Sequence, residues 1–379
     1  VKLSAPARLL SDAIALTGAI SPAASSPVAA HLATTGTAVS IRCTENAVGT
    51  IATRVPATVL EPGETAVALG RLAALVSTFA ADAVVEIETA VGTVSVVSGT
   101  SRLRLPTVPV TALPPPIAID QEIGRVEISS TDCLRLLEPL AMADARHSRF
   151  YLSGVFWHSI NDHLVAVSTD GIRLIRTGVA APRFSEDRAL IVPTEVALAV
   201  RRLLQKAAAT RVTLRRSRTL IAFESTSFSF TARLIDSKFP AYESIIPPDS
   251  SNLVVCDRLK LLAALSRLSV AAPNADTALV ALSWRNGSCL DLHLARCALD
   301  GCDSVAAQVA GSAEVALSLR QFAALLKEFS SEHIQIETSN EQPVVIRGAG
   351  EKLALIVRSK WNFDSLRDGN EHLATRSGA

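Results

Sequence analysis

The residues of this chain best suited to metal chemistry gather in one stretch: Cys289, His293, Cys297 and Cys302. Thiolates with an imidazole could hold zinc tetrahedrally. The spacing lacks a tight Cys-x-x-Cys knuckle, however. Read as a strand, Cys289–Leu294 puts Cys289, Asp291 and His293 on one face and Leu290, Leu292 and Leu294 on the other, the ordinary alternation of a half-buried strand. Scattered structural or surface thiols are therefore favoured over a zinc site. Cys43, Cys133 and Cys256 fall in expected elements and read as small core residues. The sequence contains no phosphate loop, dinucleotide fingerprint, His-Glu-x-x-His helix or nucleophile elbow. Ser, His and Asp occur, but in no triad pattern. The expectation is a protein that is not an enzyme, with no cofactor and no bound metal.

Basic residues give a different signal, because they recur on helices. Thr194–Lys206 reads as a helix with Val196, Val200, Leu203 and Leu204 in an apolar stripe, and with Arg202 and Lys206, four apart, on another face. Cys256–Ser269 reads as a helix with Leu259, Leu262 and Leu265 on one side and Lys260 and Arg267 on another. Arg320 and Lys327 repeat the seven-residue spacing of that pair, and Arg71 and Arg135 sit on further helices. One such face is an ordinary solvated surface. A set of them suits a polyanion held without sequence preference. With 37 basic and 36 acidic residues the net charge is only +1, so any basic surface must be local.

The elements that would carry these residues repeat with a period of 125. Leu103, Phe228 and Leu353 are 125 apart, as are Leu105, Phe230 and Leu355, each in an alternating strand-like run. Helix-like runs at Pro6–Leu16, Ser130–Met142 and Cys256–Ser269 share that clock, with Ser129 and Ser130 placed as an N-cap should be. A second set comprises Gly70–Phe79, Thr194–Lys206 and Leu319–Phe329. Alternating segments lie between them at Ala38–Cys43, His163–Ser168 and Cys289–Leu294. Proline-rich punctuation at 113–116 and 246–249 marks boundaries near 120 and 250. The expected fold class is α+β: three tandem similar domains, 1–120, 121–250 and 251–361, and a polar tail, 362–379. Each domain has two half-units of one helix plus antiparallel strands. Six such half-units could close into a ring lined by helices. A solenoid is disfavoured, since its period is usually ~20–50 residues.

Apolar residues make up 49% and charged residues 19%, as in a folded globular protein. No secretory pattern opens the chain, and no run approaches the ~18 apolar residues of a membrane span. A reducing, cytoplasmic setting is expected.

Two segments carry a family resemblance. One is Arg149-Phe150-Tyr151-Leu152-Ser153-Gly154 followed by Ser168-Thr169-Asp170-Gly171-Ile172-Arg173-Leu174; the other is Lys238-Phe239-Pro240-Ala241-Tyr242-Glu243-Ser244-Ile245-Ile246-Pro247. Their order and separation, with the three-domain length, resemble the bacterial sliding clamp, the beta subunit of DNA polymerase III. The resemblance is strongest over 125–250 and weakest after 355. It implies a head-to-tail homodimer whose six domains ring duplex DNA without sequence preference. It also implies a cleft taking linear peptides from the polymerase III alpha subunit, the clamp loader complex and other polymerases. Carried over, the cleft comprises Leu152, Thr169, Gly171, Ile172, Arg173, Leu174, Pro240, Ser244, Ile245, Ile356, Val357 and Arg358. The dimer interface falls on Leu103, Leu105 and Val270. With the helix faces, the residues assigned to DNA are Arg71, Arg135, Arg146, Arg149, Tyr151, Arg201, Arg202, Lys206, Lys260, Arg267, Arg320 and Lys327.

The chain departs from the family pattern at several of these places. Ile172 stands where the family has a turn histidine, Glu243-Ser244 where it has an arginine pair, and Glu195 where it has a lysine. The usual Met-Pro ending is replaced by Val357-Arg358-Ser359-Lys360-Trp361. These departures admit an alternative: a divergent clamp-like scaffold that recruits only a specialised polymerase or lacks replication partners.

Overall fold

The computed structural model describes residues 1–20, 28–144, 148–181, 189–272, 274, 276–285, 287–295, 301–339, 341–350 and 352–360. One order of elements recurs three times. The first pass runs β1 (Lys2–Pro6), α1 (Ala7–Thr17), β2 (Ala29–Thr35), β3 (Ala38–Glu45), β4 (Gly49–Pro56), β5 (Thr58–Glu61), β6 (Glu64–Ala68), α2 (Leu69–Val76), β7 (Val84–Ala90), β8 (Thr93–Ser98) and β9 (Ser101–Pro106). The second runs β10 (Gly124–Ser129), α3 (Ser130–Arg135), β11 (Gly154–Ile160), β12 (His163–Thr169), β13 (Arg173–Ala180), β14 (Leu190–Pro193), α4 (Thr194–Lys206), β15 (Arg211–Arg216), β16 (Leu220–Glu224) and β17 (Ser229–Arg233). The third runs β18 (Leu253–Asp257), α5 (Arg258–Ala271), β19 (Leu279–Arg285), β20 (Cys289–Ala295), β21 (Cys302–Ala310), β22 (Ser312–Ser318), α6 (Leu319–Lys327), β23 (His333–Glu337), β24 (Val344–Arg347) and β25 (Leu353–Ile356).

By contact the chain groups into two compact units. The first is Val1–Ala166 with Val179–Lys238; the second is Val167–Gly178 with the chain from Phe239 on. In the first unit, one sheet has the order β5-β1-β7-β8-β9 and another β10-β15-β16-β17-β4-β3-β2-β6. The second sheet thus joins late strands of the second pass to early strands of the first, through Ser229↔Ala52, Phe230↔Ile51 and Thr231↔Thr50. Gly49 sits at this join. Its φ is +150°, and a Cβ there would lie 2.4 Å from the Thr231 carbonyl oxygen, so only glycine lets the strands approach. In the second unit the order β13-β25-β24-β23-β18-β21-β20-β19-β22 repeats the scheme, with β25 of the third pass paired to β13 of the second.

The sequence patterns explain most of the elements. In α4 the expected stripe of Val196, Val200, Leu203 and Leu204 is buried. The Ser129 hydroxyl accepts the Asp132 N–H at 3.0 Å and caps α3, and an Asp257 carboxylate oxygen accepts the Lys260 N–H at 3.0 Å and caps α5. Three expectations need correction. Each first helix is preceded by a strand, β1, β10 or β18. The helix expected over Ser130–Met142 ends at Arg135, and a 3-10 helix follows at Glu138–Met142; Pro139 at its start has no N–H to continue an α-helical ladder. In α5 the buried stripe is Leu261, Ala264, Leu265 and Leu268, while Leu259 is 62% exposed. Leucines surround that helix, so periodicity alone did not select the inward face.

Cys43, Cys133 and Cys256 are buried, and burial pushes each thiol up to about 12. No helix among the described residues is long and apolar enough to cross a membrane.

Candidate functional site

The tightest polar construction in the second unit is the turn between β12 and β13. Thr169 Oγ1 donates to the Arg173 carbonyl at 2.6 Å and accepts the Gly171 N–H at 3.0 Å. Asp170 Oδ1 accepts the N–H groups of Ile172 (2.9 Å) and Arg173 (2.7 Å). Asp170 Oδ2 accepts both Nε (2.9 Å) and Nη2 (2.7 Å) of Arg173. These two charge-assisted bonds to one carboxylate oxygen fix the guanidinium as well as the loop. Gly171 occupies φ +88°, which the turn requires. Ile172 is left at the tip, 46% exposed.

β25 runs beside this turn in the register Arg173↔Ile356 and Leu174↔Leu355, and Val357 N–H donates to the Ile172 carbonyl at 3.0 Å. The chain then crosses to the edge of β22. Ser359 N–H donates to the Ala316 carbonyl at 2.8 Å and Arg358 Nη2 to the Glu314 carbonyl at 2.8 Å. The linker contributes a 3-10 helix, Tyr242–Ile245. Tyr242 is buried and hydrogen-bonded to Arg176 of β13, and burial pushes its phenol up to about 12. Ser244 Oγ donates to the Ala241 carbonyl; Pro240, Ser244 and Ile245 are exposed. The second unit therefore carries exposed apolar groups, Ile172, Ile245 and Val357, on segments fixed by polar contacts. Such a surface can seat apolar peptide anchors beside hydrogen-bonding groups. Leu174 and Ile356 are buried beneath it. Leu152 is buried in the first unit, at the end of a 3-10 helix, Phe150–Leu152.

The basic residues fall into two groups. Some are engaged: Arg135 with Asp132 (3.4 Å), Arg267 with Asp303 (2.7 Å) and Arg320 with Asp276 (2.7 Å). Arg202 Nη1 donates to the Ala19 carbonyl at 3.1 Å, and Lys206 Nζ approaches the Ala15 carbonyl at 3.5 Å. These two cations of α4 thus meet carbonyls at the end of α1 and the turn after it, where the helix dipole is negative. Arg71, Arg201, Lys260 and Lys327 are exposed, with no side-chain ion pair among the described residues. Arg149 is exposed and Tyr151 is half-buried, its ring edge-on to Phe150 at 6.0 Å. Arg146 lies outside the described residues.

Of the residues assigned to an interface, Leu103 is 41% exposed and Leu105 half-buried on β9, the last strand of its sheet. Val270, near the end of α5, is 86% exposed. In the Cys/His stretch, His293 stands opposite Cys302 and Cys289 opposite Ala306. Cys289 and Cys302 are exposed. Cys297 lies outside the described residues, among which no three His, Cys, Asp or Glu side chains group around a metal position.

Residues 125–241 match the family model described as the DNA polymerase III beta subunit, central domain. The chain is 32% identical over 244 residues to the beta sliding clamp of Pseudomonas putida. It is 30% identical over 178 residues to that of Caulobacter vibrioides. The matched family model and these relatives are all of the bacterial sliding clamp. The alignment with the P. putida clamp covers 63% of this chain and 64% of the relative, somewhat under two thirds of its length. In fold the match is fuller. A crystal structure of the Pseudomonas aeruginosa DNA polymerase sliding clamp with ligand superposes with a TM-score of 0.86 over 95% of this chain and 100% of that one, at 23% identity. The sliding clamp from Bartonella birtlesii bound to griselimycin gives 0.85 over 95% and 99%, at 20% identity.

Within this clamp fold, sequence reading passed over three site contributors. Asp170 was visible as a turn residue, but its Asp-x-x-Arg spacing also signals the clamp on Arg173. Tyr242 stood inside a quoted motif without a role. Glu314 acts through its carbonyl, which leaves no side-chain signal.

Proposed function

We propose that two copies of this chain close head to tail into a ring that encircles duplex DNA and tethers polymerases to it, a processivity factor with no chemistry of its own. One observation carries this reading: the chain builds the same strand junction twice and, among the described residues, leaves both halves of a third unpaired. β17 pairs with β4, and β25 pairs with β13. β9 is the first-pass counterpart of β17 and β25, and it ends its sheet. β21 is the third-pass counterpart of β4 and β13. Its leading residues, 302–306, pair with β20 on one side, while β18 joins only at 307–310. The edge of β9 in one chain therefore fits the open edge of β21 in another.

The exposed residues support the same junction. Phe228 and Phe230, the counterparts of Leu103 and Leu105, are 3% and 0% exposed, Phe230 within the join β17 makes and Phe228 just before that strand. Ala19, in the place that Val270 takes at the end of α5, is 2% exposed beneath α4. The two open ends are complementary to each other and not to themselves. Such a contact propagates until it closes, and three domains per chain, divided near 120 and 250, make a six-domain ring from two chains. Exposed cations such as Arg201, Lys260 and Lys327 would meet phosphates through water-softened contacts that let the ring slide.

The turn–β25–linker surface is the proposed cleft for linear peptides of the polymerase III alpha subunit, the clamp loader and other polymerases, in the cytoplasm. Glu243-Ser244 in the linker and the altered end after Ile356 favour a second reading as well: a clamp serving a narrower, specialised polymerase. Sedimentation at nanomolar to micromolar concentration tests the ring. A species of twice the chain mass is expected, and a stable monomer at micromolar concentration would overturn it. A standard clamp-binding peptide should bind with a micromolar Kd, about −8 kcal/mol; an intact dimer that ignores that peptide would favour the specialised reading.

A further inference from the structure

We propose that the first unit carries a binding site of its own, separate from the peptide cleft of the second unit in the residues it uses, for a small carboxylate with an apolar body. On the outer face of the sheet, His31 of β2 and Arg42 of β3 are direct cross-strand partners, and Thr44 follows Arg42 on that face. The connector after β9 passes over them, held by a hydrogen bond from Val108 N–H to the Ala66 carbonyl at 2.8 Å. Between connector and sheet is a cavity of about 220 Å³. A cavity of ~150 Å³ holds a benzene ring, so a ring bearing a carboxylate fits. Val108, Leu113 and Pro114 form its apolar wall.

The charges in this cavity are unequal in their commitments. His31 is 5% exposed and its Nε2 meets Glu64 Oε2 at 3.0 Å. Glu45 Oε2 accepts the N–H groups of Ala47 (2.7 Å) and Val48 (3.0 Å). Arg42 is half-buried, and its guanidinium has no hydrogen-bond or ion-pair partner among the described residues. The Glu45 carboxylate that lines the cavity and the His31 imidazole are thus occupied, and the guanidinium, with its five donors, is not. A guanidinium beside an apolar wall selects a planar monoanion that can be gripped through two oxygens while its body is desolvated. A phosphate dianion would bring more charge than one cation balances and no apolar surface for the wall. This inference is independent of the ring.

Ligand-observed saturation-transfer NMR on the full chain, with benzoate as probe and sodium chloride holding ionic strength constant, tests it. Benzoate should show saturable contact, weakened about tenfold or more in Arg42→Gln and in Ala29→Phe, which fills the cavity, with circular dichroism unchanged. Inorganic phosphate at equal ionic strength should leave the benzoate signal in place. Absence of saturable contact, equal affinity in Arg42→Gln, or displacement by phosphate would each overturn the proposal.

Discussion

Val270→Asp is the sharpest perturbation of the proposed ring. Val270 is 86% exposed, while Ala19, its counterpart in the first pass, is 2% exposed. If closure covers Val270 as α4 covers Ala19, each junction gains about 1.5–2 kcal/mol from that side chain. An aspartate there forfeits this gain and must also shed water without a partner, a cost of several kcal/mol. The sum is about 4 kcal/mol or more per junction and, with two junctions in a ring, about 8 kcal/mol per dimer. At 1.4 kcal/mol per decade, the dimer Kd should rise by about five to six orders of magnitude. Val270→Ala removes only two methyl groups and should weaken the dimer about a hundredfold. Val91, 103% exposed in the turn between β7 and β8, is the control; Val91→Asp should change nothing. Sedimentation velocity from nanomolar to micromolar concentration, with circular dichroism as a check on folding, reads all three. A folded Val270→Asp variant whose dimer Kd stays within tenfold of the parent would refute the junction assignment.

Further expectations follow from the polar contacts. Reversing Arg201, Lys260 and Lys327 to Glu should shorten retention on nicked circular DNA and flatten its salt dependence, with thermal stability unchanged. Arg202→Ala should destabilise the first unit by about 1–2 kcal/mol in urea unfolding, through loss of its bond to the Ala19 carbonyl. Asp170→Asn should release Arg173 and weaken clamp-peptide binding about tenfold by titration calorimetry, with the dimer intact. Hydrogen bonds from Arg125, then Arg215, lower Glu122 from its ordinary 4.5 to about 2. A depressed folded value favours the native state above the unfolded pKa, and that contribution is lost as pH falls from about 4.5 toward about 2. Glu122→Gln should therefore flatten the urea midpoint over that interval.

What the sequence disclosed depended on how local each signal was. The face of α4 was legible because Val196, Val200, Leu203 and Leu204 recur at helical spacing against charged neighbours. In α5, Leu259, Leu261, Leu262, Leu265 and Leu268 supplied competing stripes, and only packing of the third pass selected the inner one. Strands β1, β10 and β18 escaped notice because each is five or six residues long and runs directly into a helix. The Asp170–Arg173 turn was legible as a turn, since Asp and Gly favour one, and its ion pair needed coordinates. Arg202 was read as a cation on a free face. Its partner, the Ala19 carbonyl, lies 183 residues away and leaves no trace in local spacing. The repeat itself was plain in the sequence, but its two completed strand junctions, and the two open edges that imply a third, came from sheet order.

The central claim is topological: the protein holds DNA by enclosing it. The most direct measurement loads the protein onto nicked circular duplex with the clamp loader of its source, isolates the complex, and cuts the circle once. Retention on the closed circle followed by rapid loss from the linear product, at unchanged salt, is the predicted result. Equal retention on circular and linear DNA would contradict the ring.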